Sequence, residues 1–295
     1  MPTFTTPSPI DLAIHLPVGI IEVFASDRTD AVVSVLPTNP DKAVDRRGAK
    51  ETTVEFDGAR LTINGPRPRM SWIGPTESVD LRVEVPTGSR LTAEISVGGV
   101  RTSGRLGATR IKSSTGAVDV AETADLWVRA SHGNASVRAA DGGIEITADH
   151  GQIRIGAVTG DALLKASHGS ITIGESGGDL EARLSYGDLD IGRALNSVTA
   201  KTAYGSIQVH EVSGGSIQVE SGFGEISIGV PEGLAAWLDV ASKEGRVRNE
   251  LESDRTPETS EQTVAVRART QFGNITVQRS RDVGNRAAAP TSQPK

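Results

Sequence analysis

A repeated heptapeptide decides the fold: SHGNASV at residues 131–137, DHGQIRI at 149–155, SHGSITI at 167–173, SYGDLDI at 185–191 and AYGSIQV at 203–209. The glycines recur every 17 to 19 residues over a longer stretch. Apolar residues mostly occupy the second and fourth positions after each glycine, as in a strand that buries one face. This glycine column contains Gly98, Gly116, Gly133, Gly151, Gly169, Gly187, Gly205 and Gly224.

Each repeat also contains a second strand, which runs into the next glycine. Its inward positions carry apolar or small residues, such as Ile144, Ile146 and Ala148 before Gly151. A period near 18 residues with two short strands per period predicts an all-β fold, a β-solenoid whose coils stack one on the next. Small inward residues fit a thin core, and the pattern requires no helix.

The chain divides into three predicted regions. Residues 1–95 are expected to form irregular β-strands that open or cap the solenoid. Residues 96–280 are expected to form the repeats, with a polar insertion near 251–263. Residues 281–295 are rich in Ala, Pro and Ser and are expected to be a disordered tail. Within the first region, strands are predicted at 11–16, 20–25, 32–36, 52–56, 60–63 and 78–85, and loops at 37–50 and 65–77.

Composition excludes several classes of protein. The 31 Lys and Arg residues against 37 Asp and Glu residues give a net charge of −6, and cysteine is absent, so no disulfide or thiolate metal site can form. No stretch approaches the ~20 apolar residues that cross a bilayer, so membrane insertion is not expected. The start, MPTFTTPSPI, is unlike a signal peptide, and a cytoplasmic location is therefore expected. No cofactor is expected.

Several motifs resemble a bacterial family. They are the Leu/Val-Pro-x-Gly turns at 16–19, 85–88 and 230–233, the serial SxGxIxI and GDLxA strings, and the closing FGNITV at 272–277. Together they resemble a β-strand-repeat domain of unknown function that is labelled "putative adhesin", over residues 10–279. The resemblance implies a β-solenoid, and the label implies surface binding. It transfers no functional residues.

The residue before each repeat glycine defines a column of flat rings. A metal site is the sharper interpretation of three histidines in register, but rungs about 4.8 Å apart are too widely spaced for ligands of one ion. We therefore interpret the column as structural ring stacking and expect no metal. Its members are His132, His150, His168, Tyr186, Tyr204 and Phe223.

A second column, four residues before each glycine, faces outward and is mostly basic. One interpretation is a solvated face whose charge opposes aggregation. The other is a stripe that binds a polyanion such as an acidic glycan, a phosphate polymer or a nucleic acid. The candidate residues are Lys112, Arg129, Lys165, Arg183 and Lys201, and they are called the basic column below.

A loop offers another candidate site, for a protein partner, with Arg67, Arg69, Met70 and Trp72 among prolines. Trp72 could equally cover a solenoid end.

The leading hypothesis is a non-enzymatic binding or scaffold protein that presents a regular surface to a protein or polyanionic partner. One alternative is a cytoplasmic scaffold that polymerises through its solenoid ends. The other is an enzyme acting on polysaccharide, for which Asp188 and Asp190 would be the first carboxylates to consider.

Overall fold

The structure is a computed structural model that describes residues 2–67, 77–251 and 263–280. Its N-terminal elements are β1 (Thr3–Thr5), β2 (Asp11–Ser26), β3 (Asp30–Pro37), α1 (Ala43–Glu51), β4 (Thr53–Phe56), β5 (Arg60–Asn64) and β6 (Val79–Pro86). The repeats begin with β7 (Arg90–Ser103), β8 (Arg105–Leu106), β9 (Thr109–Thr115), β10 (Val118–Thr123), β11 (Leu126–His132), β12 (Ala135–Ala140), β13 (Ile144–His150) and β14 (Ile153–Val158).

The repeats continue with β15 (Ala162–His168), β16 (Ile171–Ser176), β17 (Leu180–Tyr186), β18 (Leu189–Ala194), β19 (Val198–Tyr204), β20 (Ile207–Val212), β21 (Ser216–Phe223) and β22 (Ile226–Val230). The last elements are β23 (Ala235–Glu244), β24 (Val247–Asn249), β25 (Thr263–Phe272) and β26 (Ile275–Arg279). The all-β solenoid predicted from the repeat period is confirmed.

Successive coils stack in parallel and in constant register, which builds two facing sheets. The first sheet contains the odd-numbered strands from β9 to β21, and the second contains the even-numbered strands from β10 to β22. Ile146 lies beside Leu164 in the first sheet, and Ile153 lies beside Ile171 in the second. All four side chains are fully buried, so the core is the narrow space between the sheets.

The glycine column forms one corner of every coil, between the two sheets. At Gly169 the backbone has φ of +140°, and a Cβ there would lie 1.9 Å from the carbonyl oxygen of Gly151. Such a distance is well inside van der Waals contact, so only glycine fits. The Gly151 N–H also donates to the carbonyl oxygen of His168 in the next coil, at 2.9 Å. The corner therefore holds consecutive coils in register.

The N-terminal end is closed by additional strands and one helix. β2 is a single strand where the sequence predicted two, because Gly19 turns the corner at φ of +140° without ending the ladder to β7. β5 and β6 pair in parallel with β2 on its other edge. β4 then pairs antiparallel with β5, β3 with β6, and β1 with β3. Short antiparallel strands are a common way to protect a sheet edge.

The prediction of a loop at 37–50 is wrong, because α1 occupies most of it. The helix is held by tertiary contacts, since the buried carboxylate of Asp45 accepts the backbone N–H groups of Ser78 and Asn39 at 3.1 Å each. A Cβ at Gly48 would lie 2.9 Å from the Cβ of Glu77, so the glycine lets the helix approach the cap strands closely.

The C-terminal coils do not stack in chain order, contrary to the expectation that each coil stacks on the one before it. β25 pairs with both β21 and β23, and β26 pairs with both β22 and β24. The coil at 263–279 therefore lies between its two predecessors, and the coil at 235–249 is outermost. Burial explains the exchange. Val264 and Val266 of the inner coil are fully buried, whereas the outer coil carries Asn249 at an inward position.

Two arginines fasten this outermost coil. Arg269 donates to the Asp239 carboxylate at 2.5 Å and to the Asp239 backbone carbonyl at 2.6 Å, and Arg267 donates to the same carboxylate at 3.0 Å. The pKa of Asp239 is held below its ordinary value. The largest cause is the hydrogen bond from Arg269, and the charge of Arg269 and the contact with Arg267 lower the pKa further. The predicted polar insertion (residues 252–262) and the predicted tail (residues 281–295) lie outside the described residues.

Replacing Gly169 with Ala should destabilise the solenoid by at least about 2 kcal/mol. The cost combines a backbone conformation that L-residues rarely adopt with a clash against the Gly151 carbonyl. Urea unfolding followed by circular dichroism measures it. Gly58→Ala has positive φ but open space, so it isolates the conformational cost, and Gly143→Ala has neither problem. Equal stability losses in all three variants would contradict this account.

Replacing Asp239 with Asn should lower stability at neutral pH, with a difference that vanishes in acid. A lowered folded-state pKa contributes stability above the unfolded-state pKa of about 3.9, and that contribution is lost as the pH falls through the folded-state pKa. Urea midpoints at pH 7 and pH 2 test this. Glu232→Gln, an exposed acid in the turn before β23, is the control. A stability difference between Asp239→Asn and the parent that stays constant with pH would show that the ion pairs of Asp239 do not stabilise the coil.

Candidate functional site

The basic column lies along the outward face of the first sheet, in one line across the rungs. Lys112 is beside Arg129, Arg129 beside Thr147, Thr147 beside Lys165, and the line continues through Arg183 to Lys201. The structure therefore brings all five predicted residues together. Parallel strands are about 4.8 Å apart, so a cation is available at almost every rung.

Ion pairing divides the basic column into two parts. Arg183 pairs with Glu181 at 2.6 Å, and Lys201 pairs with Glu220 at 2.9 Å. Lys112, Arg129 and Lys165 form no ion pair within the part of the chain that the structure describes. The cations without an ion pair therefore lie on the N-terminal half of the column, on β9, β11 and β15.

A groove of about 1020 Å³ runs beside the basic column. Its floor includes outward side chains that stand two positions before the cations on the same strands. Among them, Trp127 and Leu163 are apolar and Glu145 is acidic. The Arg110 guanidinium lies 3.9 Å from the centre of the Trp127 ring, which is a cation–π contact. One face of this indole is therefore covered by the protein itself.

A line of carboxylates borders the other side of the groove. Asp125, Asp161 and Asp179 occupy equivalent exposed corner positions and are called the acidic corner below. One oxygen of Asp125 accepts the backbone N–H of Gly143 at 3.0 Å, and one oxygen of Asp161 accepts that of Asp179 at 2.9 Å. These bonds hold the carboxylates of Asp125 and Asp161 in place at the edge of the groove. Sequence reasoning missed this line, although Asp recurs there at an interval of 18 residues between Asp161 and Asp179.

The rings beside the glycine column form a continuous stack. Neighbouring centroids from His132 to Phe223 are 4.8–5.1 Å apart, and the interplanar angles are at most 8°. Phe272 extends the stack by one ring, at 4.7 Å from Phe223. Sequence reasoning left this ring out, although Phe272-Gly273 repeats the ring–glycine signal, because the coil that carries it is out of chain order.

The ring ladder, defined as these seven rings, presents ring edges to solvent while the faces cover one another. Tyr186 remains 49% exposed and Phe223 43% exposed. The imidazole centroids are 4.8–4.9 Å apart, in keeping with ring stacking at the rung spacing. Among residues 2–67, 77–251 and 263–280, no group of three or more His, Cys, Asp and Glu side chains is arranged to hold a metal ion.

The partner loop proposed from the sequence is described only at its start. Arg67 is exposed and lines a second cleft, together with Glu51, Glu94 and Lys112. Arg69, Met70 and Trp72 lie outside the described residues.

The carboxylates considered for an enzyme have local partners. Asp188 accepts the backbone N–H of Ser206 at 2.7 Å, and Asp190 lies 3.3 Å from Nε2 of His210. Each partner belongs to the next coil, so both contacts tie neighbouring coils together. The helical part of the described chain contains nothing long and apolar enough to cross a membrane.

Comparison with known families identifies the architecture. The family model described as Toastrack DUF4097 matches residues 29–278. The chain belongs to this family. Toastrack domains are β-solenoids, in agreement with the stacked coils. A search of curated proteins finds no match.

Solved structures give distant matches to this Toastrack chain. A putative adhesin from Parabacteroides distasonis is 13% identical over 93% of this chain and 95% of its own, with a TM-score of 0.36. A putative adhesin from Parabacteroides merdae is 12% identical over 95% of both chains, with a TM-score of 0.34. A putative cell adhesion protein from Clostridium sporogenes is 11% identical over 94% of this chain and 98% of its own, with a TM-score of 0.18.

Removing one ring from the ladder should destabilise the Toastrack fold. Tyr186 stacks on His168 and Tyr204, and ring pairs contribute about 0.5–1.5 kcal/mol each beyond burial, so Tyr186→Ala should cost about 1–3 kcal/mol. Urea unfolding measures the loss. Tyr186→Leu keeps apolar bulk without a flat ring, and exposed Ser185→Ala is the neighbouring control. A Tyr186→Leu variant as stable as the parent would show that stacking adds nothing.

Proposed function

We propose that this Toastrack domain is a non-enzymatic binding protein whose basic column and groove hold an acidic polysaccharide along the solenoid axis. The observation that carries the proposal is the line of unpaired cations Lys112, Arg129 and Lys165 on one sheet face. Lys112 and Lys165 are three rungs apart, which is about 14 Å at the usual strand spacing. A polymer with negative groups at short intervals can contact several of these cations at once.

The acidic corner favours a polysaccharide over other polyanions. Carboxylates repel phosphate groups, but they accept hydrogen bonds from hydroxyl groups, which sugars carry on every residue. An acidic glycan can place its anionic groups on the basic column and its hydroxyl groups on Asp125 and Asp161. Single-stranded nucleic acid is disfavoured because it needs exposed ring faces, and Arg110 already covers a face of Trp127.

The adhesin names of the structural neighbours are consistent with a binding role but supply no ligand. We also propose that the protein is not an enzyme and that it is located in the cytoplasm.

Reversing the unpaired cations should abolish binding. The triple variant Lys112→Glu, Arg129→Glu and Lys165→Glu should bind heparin and polygalacturonate at least tenfold more weakly than the parent, in isothermal titration at low salt. The control triple variant Arg101→Glu, Arg138→Glu and Arg154→Glu changes net charge equally on the outward face of the second sheet. It should retain affinity within about threefold, a difference under 1 kcal/mol. If both triple variants lost affinity equally, binding would depend only on net charge, and the proposed site would be wrong.

The acidic corner provides the test of ligand class. Asp125→Asn with Asp161→Asn keeps the acceptors for the backbone N–H groups while removing two charges, as Asn134 does at another corner. This variant should bind polygalacturonate no better than the parent and inorganic polyphosphate more tightly. If the parent already prefers polyphosphate to both polysaccharides, the assignment to a glycan is wrong.

A further inference from the structure

The two ends of the solenoid differ in how they are finished. At the N-terminal end the outer strands β1 and β4 have three and four residues, and α1 packs beside β3 and β6. At the C-terminal end the outer strand is β23, with ten residues. It pairs with β25 on one edge, and no strand within the described residues pairs with its other edge. A long unpaired edge is a template for another strand.

The core is also incompletely covered at this end. Leu238 and Val240 of β23 point inward and are only partly buried, whereas Val266 and Ala268 beside them are fully buried. Trp237 of the same strand is 63% exposed, the highest value among the large apolar side chains exposed in the described chain. Apolar surface of this kind on a terminal rung marks an interaction site.

The two segments that flank the last coil in sequence do not match the pattern of β23. Residues 252–262 read ESDRTPETSEQ and contain no aliphatic or aromatic side chain. Residues 281–295 contain one valine and three alanines among prolines and polar residues, with no alternating apolar pattern. Neither segment therefore carries the alternating apolar pattern of a strand that would complete this rung.

We infer that the missing strand is β23 of a second copy, paired antiparallel about a two-fold axis. The two-fold axis is placed between the Val240 residues of the two copies. Trp237 of one copy then lies opposite Lys243 of the other, Leu238 opposite Ser242, and Asp239 opposite Ala241. Inward residues then face inward residues, so the two cores become continuous. The Lys243 ammonium can also contact the Trp237 ring. An axis at Asp239 would instead place the Asp239 carboxylates of the two copies opposite each other, where they would repel.

This arrangement closes after two copies. A two-fold interface uses the same surface of both partners, and the opposite ends of the dimer carry the N-terminal caps. The assembly is therefore a dimer with its solenoids end to end, not the polymer considered from the sequence. The inference is independent of the polysaccharide site.

Light scattering on the purified full chain tests the assembly. The expected mass is twice the 30.8 kDa of one chain at high concentration, with no larger species. A monomer over the whole accessible concentration range overturns the inference, and so do filaments in electron micrographs or a mass that keeps growing with concentration.

A matched pair of charge variants tests the interface and its register. Lys243 is exposed on β23, and in the inferred pairing it faces Trp237 of the partner. Lys243→Glu should weaken dimerisation at least tenfold at low salt, because a carboxylate replaces the cation beside the ring, and Lys243→Arg should keep the affinity. Equal dimer dissociation constants for both variants would overturn the interface. Circular dichroism verifies that both variants remain folded.

A single cysteine tests the two-fold axis directly, because the chain has no cysteine of its own. Directly opposite residues of an antiparallel pair are close enough to form a disulfide. Val240→Cys should give a covalent dimer on mild oxidation, whereas Ser136→Cys on the outward face of the second sheet should not. Failure of Val240→Cys to crosslink in a solution shown to contain dimers would overturn the Val240 register.

Discussion

The close approach of glycine backbones at one corner is the constraint on which the solenoid depends. Each corner glycine adopts a positive φ, and the carbonyl oxygen of the glycine below occupies the place where a Cβ would be. From Gly116 to Gly224, the amide of each corner glycine donates to the carbonyl of the ring residue in the neighbouring coil. Register is thereby set once per coil by the backbone, and inward residues of similar size follow in line. The stacked rings are the side-chain consequence of the same backbone arrangement.

Constant register has a chemical consequence on the outside of the molecule. Residues that do not contribute to the core are still placed in straight lines, so a single residue type repeated at one position becomes a continuous stripe. The basic column and the acidic corner arise in this way, on either side of a groove, with Trp127 and Leu163 between them. Neither stripe is needed for the fold, because Thr147 interrupts one and Gly143 interrupts the other without breaking the ladder.

The sequence predicted the parts of the structure that depend on local repetition. The 18-residue period was sufficient for the coil, its two strands, the glycine corner and the alignment of cations and rings. It could not predict α1, which has a glycine in its interior and is held by the buried Asp45 contacts to Ser78 and Asn39. It also could not predict that the coil at 263–279 lies inside the coil at 235–249. That choice depends on which coil buries its inward face better, and Asn249 places the earlier coil outside.

The displaced coil also determines the character of the C-terminal end. Had the coils stacked in chain order, the fully apolar inward face of Val264, Val266 and Ala268 would form the terminal surface. Inserting that coil between the other two removes its apolar face from water. The coil that becomes outermost has a polar residue at one inward site and the Asp239–Arg269 ion pair on its outer face. The exchange reduces the exposed apolar edge without eliminating it, because Leu238, Val240 and Trp237 remain accessible. An edge that is only partly protected suits a reversible, self-limiting contact better than either a sealed cap or an open polymer end.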